Sequence, residues 1–206
     1  DSAGSIQVGT PSGSRGTLEI GGGYVEMGEI PYIGDAPSSR GTVTMTGGTY
    51  HSKGRVFLGG NGGHYSTGVV TVAGGTFKSD WFISVGQYGH GQMYVSGIST
   101  VKVTGGGDWI QVARFQGLSG NNTSYQTNLV QVDGGLVRVP SGNLFVGGSQ
   151  LGNRAKMKVH GGLVDVNGSM TVGSGTAGIG LLDVTGGVVE VNWLEVGQSS
   201  TCTAKV

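Results

Sequence analysis

The sequence predicts an all-β fold, a single-stranded parallel β-helix with three short strands in each coil of about 25 residues and about seven to eight coils. Three observations predict it. An apolar residue followed by glycine recurs at Val8-Gly9, Ile33-Gly34, Leu58-Gly59, Val85-Gly86, Val146-Gly147, Val172-Gly173 and Val196-Gly197, with Val112-Ala113 in the one gap. A Gly-Gly pair falls between these marks at 22–23, 47–48, 74–75, 134–135, 161–162 and 186–187, and degenerates to Ser96-Gly97 in the fourth copy. Between the marks, apolar residues alternate with polar ones, the period of a strand with one buried face.

One copy shows each element in order. In residues 181–197, Leu182 and Val184 flank Asp183, Val189 and Val191 flank Glu190, and Leu194 and Val196 flank Glu195. Gly-Gly separates the first segment from the second, because glycine turns sharply without a steric penalty. Residues 156–173 follow the same rule with Met157 and Val159, Val164 and Val166, Met170 and Val172. A unit this short cannot bury its own apolar face, whereas stacked coils bury it against one another. Composition agrees: 45 of 206 residues are glycine, and valine outnumbers alanine 27 to 7, a bias toward strands.

The stretches between the apolar-Gly mark and the next strand vary in length and are expected to project along one edge. The longest, 114–128, reads as a loop insertion and carries sequons at Asn121 and Asn122; Asn167 opens a third. Both termini fall inside a repeat: residues 4–9 read as a third strand and 201–206 as a first strand, so a single domain spanning 1–206 is expected to be uncapped at both ends.

The grammar x-V-x-V-x-G-G-x-V-x-V…L-x-V-G resembles the strand repeats of bacterial autotransporter passenger domains and related surface β-helix proteins. That resemblance implies a right-handed helix and an extracellular or cell-surface location. It implies little about activity, because adhesins, fibre proteins and polysaccharide lyases share the scaffold.

Charge and motifs narrow the function. Twelve basic and twelve acidic residues cancel, which argues against a nucleic-acid partner. No apolar run is long enough for a transmembrane helix. A single cysteine, Cys202, excludes a disulfide scaffold. No Asp-x-Asp or Asn-x-Asp cluster suits the Ca²⁺ and acid chemistry of pectinolytic β-helices, and His51, His64, His90 and His160 lack zinc-ligand spacing. Asp133 and His160 hold the same slot in successive coils and can pair. No cofactor is expected. The reading is a non-enzymatic structural or adhesive rod that meets other copies of itself head to tail, and glycans or cell-surface proteins along its sides. The alternative is a carbohydrate-active enzyme, a lyase or hydrolase, on the same scaffold.

The register places three candidate surfaces. Lys78, Lys102 and Arg138 stack on the second strand as a candidate anion stripe within the column Glu26, His51, Lys78, Lys102, Arg138, Asp165, Glu190. Phe57, Phe82, Trp109 and Phe145 converge on the outer face of the third strand as a candidate contact surface or sugar platform. His64, Tyr65, Tyr88, His90, Arg114 and Phe115 fall on the projecting edge as a candidate partner patch.

Overall fold

A computed structural model describes residues 4–28, 30–60, 66–105, 109–113, 127–148, 154–175, 178–199 and 202–206. Seventeen strands follow in order: β1 (Gln7–Val8), β2 (Arg15–Ile20), β3 (Tyr24–Met27), β4 (Tyr32–Ile33), β5 (Arg40–Met45), β6 (Thr49–Ser52), β7 (Val56–Leu58), β8 (Thr67–Ser79), β9 (Phe82–Val85), β10 (His90–Val103), β11 (Trp109–Val112), β12 (Thr127–Val139), β13 (Asn143–Val146), β14 (Arg154–Val172), β15 (Ile179–Val184), β16 (Val188–Val196) and β17 (Thr203–Lys205). Every pairing is parallel and joins one coil to the next. The first-strand ladder runs β2, β5, β8, β10, β12, β14, β15, β17. The third-strand ladder runs β1, β4, β7, β9, β11, β13, β14, β16. The result is a β-solenoid of about seven turns.

The expected register holds along the buried rows. Val164 pairs with Val189 and Val166 with Val191. Inward columns bury one aliphatic row after another: Val70, Met93, Val130 and Met157 on the first strand, Ile83, Ile110, Leu144 and Met170 on the third, all 0–1% exposed. Two aromatic rings interrupt the second-strand column. Tyr50 and Phe77 stack inside the core with centroids 4.7 Å apart and planes 8° from parallel.

Gly-Gly was expected to break the chain between strands, and here the structure differs. In β8, β10, β12 and β14 the strand continues through the corner. The second glycine turns into the left-handed region, as at Gly75 with φ 79°. The backbone keeps its coil-to-coil bonding there: Thr49 N–H donates to Gly23 O and Thr76 N–H to Gly48 O, both at 2.8 Å. The glycines make a stacked corner rather than a gap. The degenerate fourth copy has one extra residue between Val95 and Thr100, and the register shifts there. The bulge pushes Ile98 out to 96% exposure.

The apolar-Gly mark is a second left-handed corner. At Gly34, φ is 67°, and a Cβ would lie 2.0 Å from the carbonyl oxygen of Thr67 in the next coil. The gap-filling Ala113 adopts the same conformation, φ 57°.

Candidate functional site

The second-strand column holds the densest polar constellation among the described residues. Register places Glu26, His51, Lys78, Lys102, Arg138, Asp165 and Glu190 on successive rungs. Turn residues one or two positions further along each coil complete it. His51, 8% exposed, sits between two carboxylates: Nδ1 is 3.1 Å from Glu26 Oε2 and Nε2 is 2.8 Å from Asp80 Oδ2. Lys53 Nζ donates to Glu26 Oε1 at 2.6 Å, and Lys78 Nζ to Asp80 Oδ1 at 2.8 Å. Tyr24 Oη donates to Glu26 Oε2 at 2.5 Å, and Thr104 Oγ1 to Asp80 Oδ1 at 2.9 Å.

These contacts set the acidity of both carboxyls. The hydrogen bond from Lys53, then that from Tyr24, hold Glu26 at about 2, against an ordinary 4.5. Burial pushes Asp80 up, and the hydrogen bonds from Lys78, His51 and Thr104 together outweigh it, holding it also at about 2. The cluster ties four coils together through side chains. Its cations and anions are spent on each other, so it reads as a polar clamp on the outside of the solenoid.

That pairing changes the candidate anion stripe. Lys78, Lys102 and Arg138 are rung neighbours, as expected. Lys78 is neutralised by Asp80, and Arg138 Nε lies 3.0 Å from Asp165 Oδ2. Among the described residues only Lys102 of the three has no carboxylate partner. Like charges on adjacent rungs are tolerated because the flanking acids split the row.

The aromatic residues do converge on the third-strand face, but unequally. Phe57 is 2% exposed, stacked on Tyr32 at 5.5 Å and edge-on to Phe82 at 5.5 Å. It is therefore part of the packing and not of an open surface. Phe82, Trp109 and Phe145 are half-buried, and Trp109 meets Phe145 edge-on at 6.1 Å. The neighbouring column, which Phe57 and Phe145 share with Ser84, Gln111 and Thr171, is largely covered, those last three being 1–2% exposed. Arg55, which the register sets one rung before Phe82, lies over both Trp81 and Phe82, 5.2 Å from each ring, and Trp81 is the neighbour the sequence reading missed. Trp81 could have been found by aligning the turn positions as well as the strands.

Of the edge patch, Tyr88 and His90 are described, and His64, Tyr65, Arg114 and Phe115 lie outside the described residues. His90 Nε2 donates to Thr127 O at 2.9 Å, and burial pushes its pKa down. Asn121 and Asn122 also fall outside; of the 114–128 insertion, residues 127 and 128 open β12. Asn167 accepts from Asn192 Nδ2 and donates to Pro140 O at 3.0 Å, an asparagine ladder across three coils. Asp133 and His160 pair, Oδ1 to Nδ1 at 2.8 Å, although the ladder shifts there and sets Asp133 opposite Gly161 rather than in the same slot as His160.

The coil closed by β16 has a different character. Among the described residues β16 pairs on one side only, with β14. Val184, Val188, Leu194 and Val196 are 44–50% exposed there, and Trp193 is 65% exposed. Among the described residues no three His, Cys, Asp or Glu side chains are placed to hold a metal ion, and no helix is long and apolar enough to cross a membrane. Comparisons with protein-family models, with curated proteins and with solved structures return no significant match.

Proposed function

We propose that this chain is a non-enzymatic structural and adhesive rod of the cell exterior or surface, and that copies associate end to end by parallel strand addition. The observation that carries the proposal is the solenoid itself, whose described strands all pair in parallel from one coil to the next, so that a further coil of the same register can add over the inward residues Val184, Leu194 and Val196. An open parallel edge above a greasy cross-section is completed by another coil of the same register. A second copy can supply one through β1, β2 and β3, which among the described residues pair with β4, β5 and β6 alone. Contacts between unlike ends of identical rods do not close, so the product is a filament.

The test is sedimentation of residues 1–206 over rising concentration, with electron microscopy of the same samples. Filaments are expected, and the double variant Leu194→Lys/Val196→Lys is expected to stay monomeric with an unchanged circular dichroism spectrum. A parent chain that remains monomeric at high concentration refutes end-to-end assembly. His51 between two carboxylates favours a second reading, a polysaccharide lyase or hydrolase. Incubation with polyuronates, with and without Ca²⁺, decides it: unsaturated or shortened product supports the enzyme.

A further inference from the structure

We infer that Arg55, Trp81 and Phe82 form a binding site for glycans that carry uronate carboxylates. The inference is independent of end-to-end assembly, since the site lies on the side of the rod. Three observations converge. The Arg55 guanidinium is held over two rings at once, 5.2 Å from the centroids of Trp81 and Phe82. Such stacking orients a planar fork whose five donors suit a carboxylate in two-point contact.

Second, among the described residues the Arg55 guanidinium, like the Lys102 ammonium, is not spent on an acid. Lys53, Lys78, Arg138 and Lys156 are each paired with an acid, Glu26, Asp80, Asp165 and Asp183 respectively. Among the described residues Arg55 has no carboxylate partner, and it is exposed. Its charge is unneutralised at a place where the protein has fixed its orientation.

Third, the aromatic surface beside it is open. Trp81 is 49% exposed, and its indole N–H has no partner among the described residues. The equivalent position one coil earlier is Gly54, which puts no side chain beside the ring. An indole in this state can stack on the C–H face of a sugar ring while its N–H donates to a hydroxyl. Trp109 lies one rung beyond Phe82, about 4.8 Å further along the rod. A sugar chain lying parallel to the axis therefore meets an aromatic edge at successive rungs. A neutral glycan uses the rings alone; the free guanidinium favours the acidic one.

The experiment is titration of the monomeric Leu194→Lys/Val196→Lys protein with hexagalacturonate, followed by tryptophan fluorescence and calorimetry, with maltohexaose as the neutral control. Saturable binding of hexagalacturonate is expected, and Arg55→Ala and Trp81→Ala are each expected to weaken it by about tenfold, the effect of losing ~1.4 kcal/mol. Arg55→Lys keeps the charge without the planar fork and is expected to fall between. Lys102→Ala, the unpaired cation of another face, is expected to change nothing. Circular dichroism establishes that each variant is folded. No binding of hexagalacturonate, equal binding of maltohexaose, or an unchanged affinity in folded Arg55→Ala overturns the inference.

Discussion

At the scale of single residues, two left-handed glycines, Gly34 in a stacked corner and Gly13 in a turn, differ in what surrounds them, and the difference is measurable. Gly34 and Gly13 have nearly the same backbone, φ 67° and 69°. A Cβ at Gly34 meets the Thr67 carbonyl at 2.0 Å, whereas a Cβ at Gly13 meets nothing within 4 Å. Gly13→Ala is expected to cost only the left-handed strain, about 1 kcal/mol. Gly34→Ala must also move a coil and is expected to cost more than about 3 kcal/mol. Equal losses in urea melts would show that stacking at the corner is not what demands glycine. The core offers a second contrast. Val166 is 1% exposed, while its neighbour Asp165 makes a surface ion pair with Arg138. Val166→Asp leaves a buried charge without a partner and is expected to unfold the rod. Asp165→Ser removes a pair worth at most about 1 kcal/mol. Equal tolerance of the two changes in thermal melts contradicts the register.

At the scale of elements, the clamp of Glu26, His51 and Asp80 makes the outer face of β3, β6 and β8 sensitive to acid. Both carboxyls are held at about 2, below their ordinary values of 4.5 and 3.8. Groups depressed on folding stabilise the folded state fully above their unfolded pKa, and that contribution fades as pH falls through the folded one. Thermal stability is therefore expected to decline between about pH 4.5 and pH 2. The double variant Glu26→Gln/Asp80→Asn is expected to be less stable at pH 7 and flatter across that window. A parent and variant with parallel melting-temperature profiles from pH 5 to 2 would exclude the clamp as the cause. The clamp also shows where the sequence stops being legible. The column Glu26, His51, Lys78 follows from period-2 alternation, and so do the buried valines. Lys53, Asp80 and Thr104 stand in turns, whose side-chain directions have no period. Likewise, alternation places Phe57 outward, but it cannot tell that Tyr32 and Phe82 close over it. Continuity through Gly-Gly was hidden for a related reason, because a stacked glycine corner and a chain break share the same residues.

For the whole molecule, each coil touches only the coils before and after it, so stability should accumulate coil by coil. Arg154 and Ile179 hold equivalent places in successive coils. Deleting residues 154–178 therefore removes one turn and rejoins the ladder in register. The shortened chain is expected to keep its β spectrum and melt at a lower temperature. Loss of the β signal would mean that this coil is indispensable and the repeat is not modular.

Because every ladder pairs one coil with the next, the backbone hydrogen bonds lie along the rod and not across it. A pull on the two ends thus loads these bonds head-on, one rung at a time, as a zipper is opened. Each coil that peels away frees about 25 residues, or about 85 Å of contour at ~3.4 Å per residue. Stretched between a surface and a cantilever, the molecule behaves as a ratcheted tether, giving way in equal steps at modest force and leaving the coils beyond the break intact.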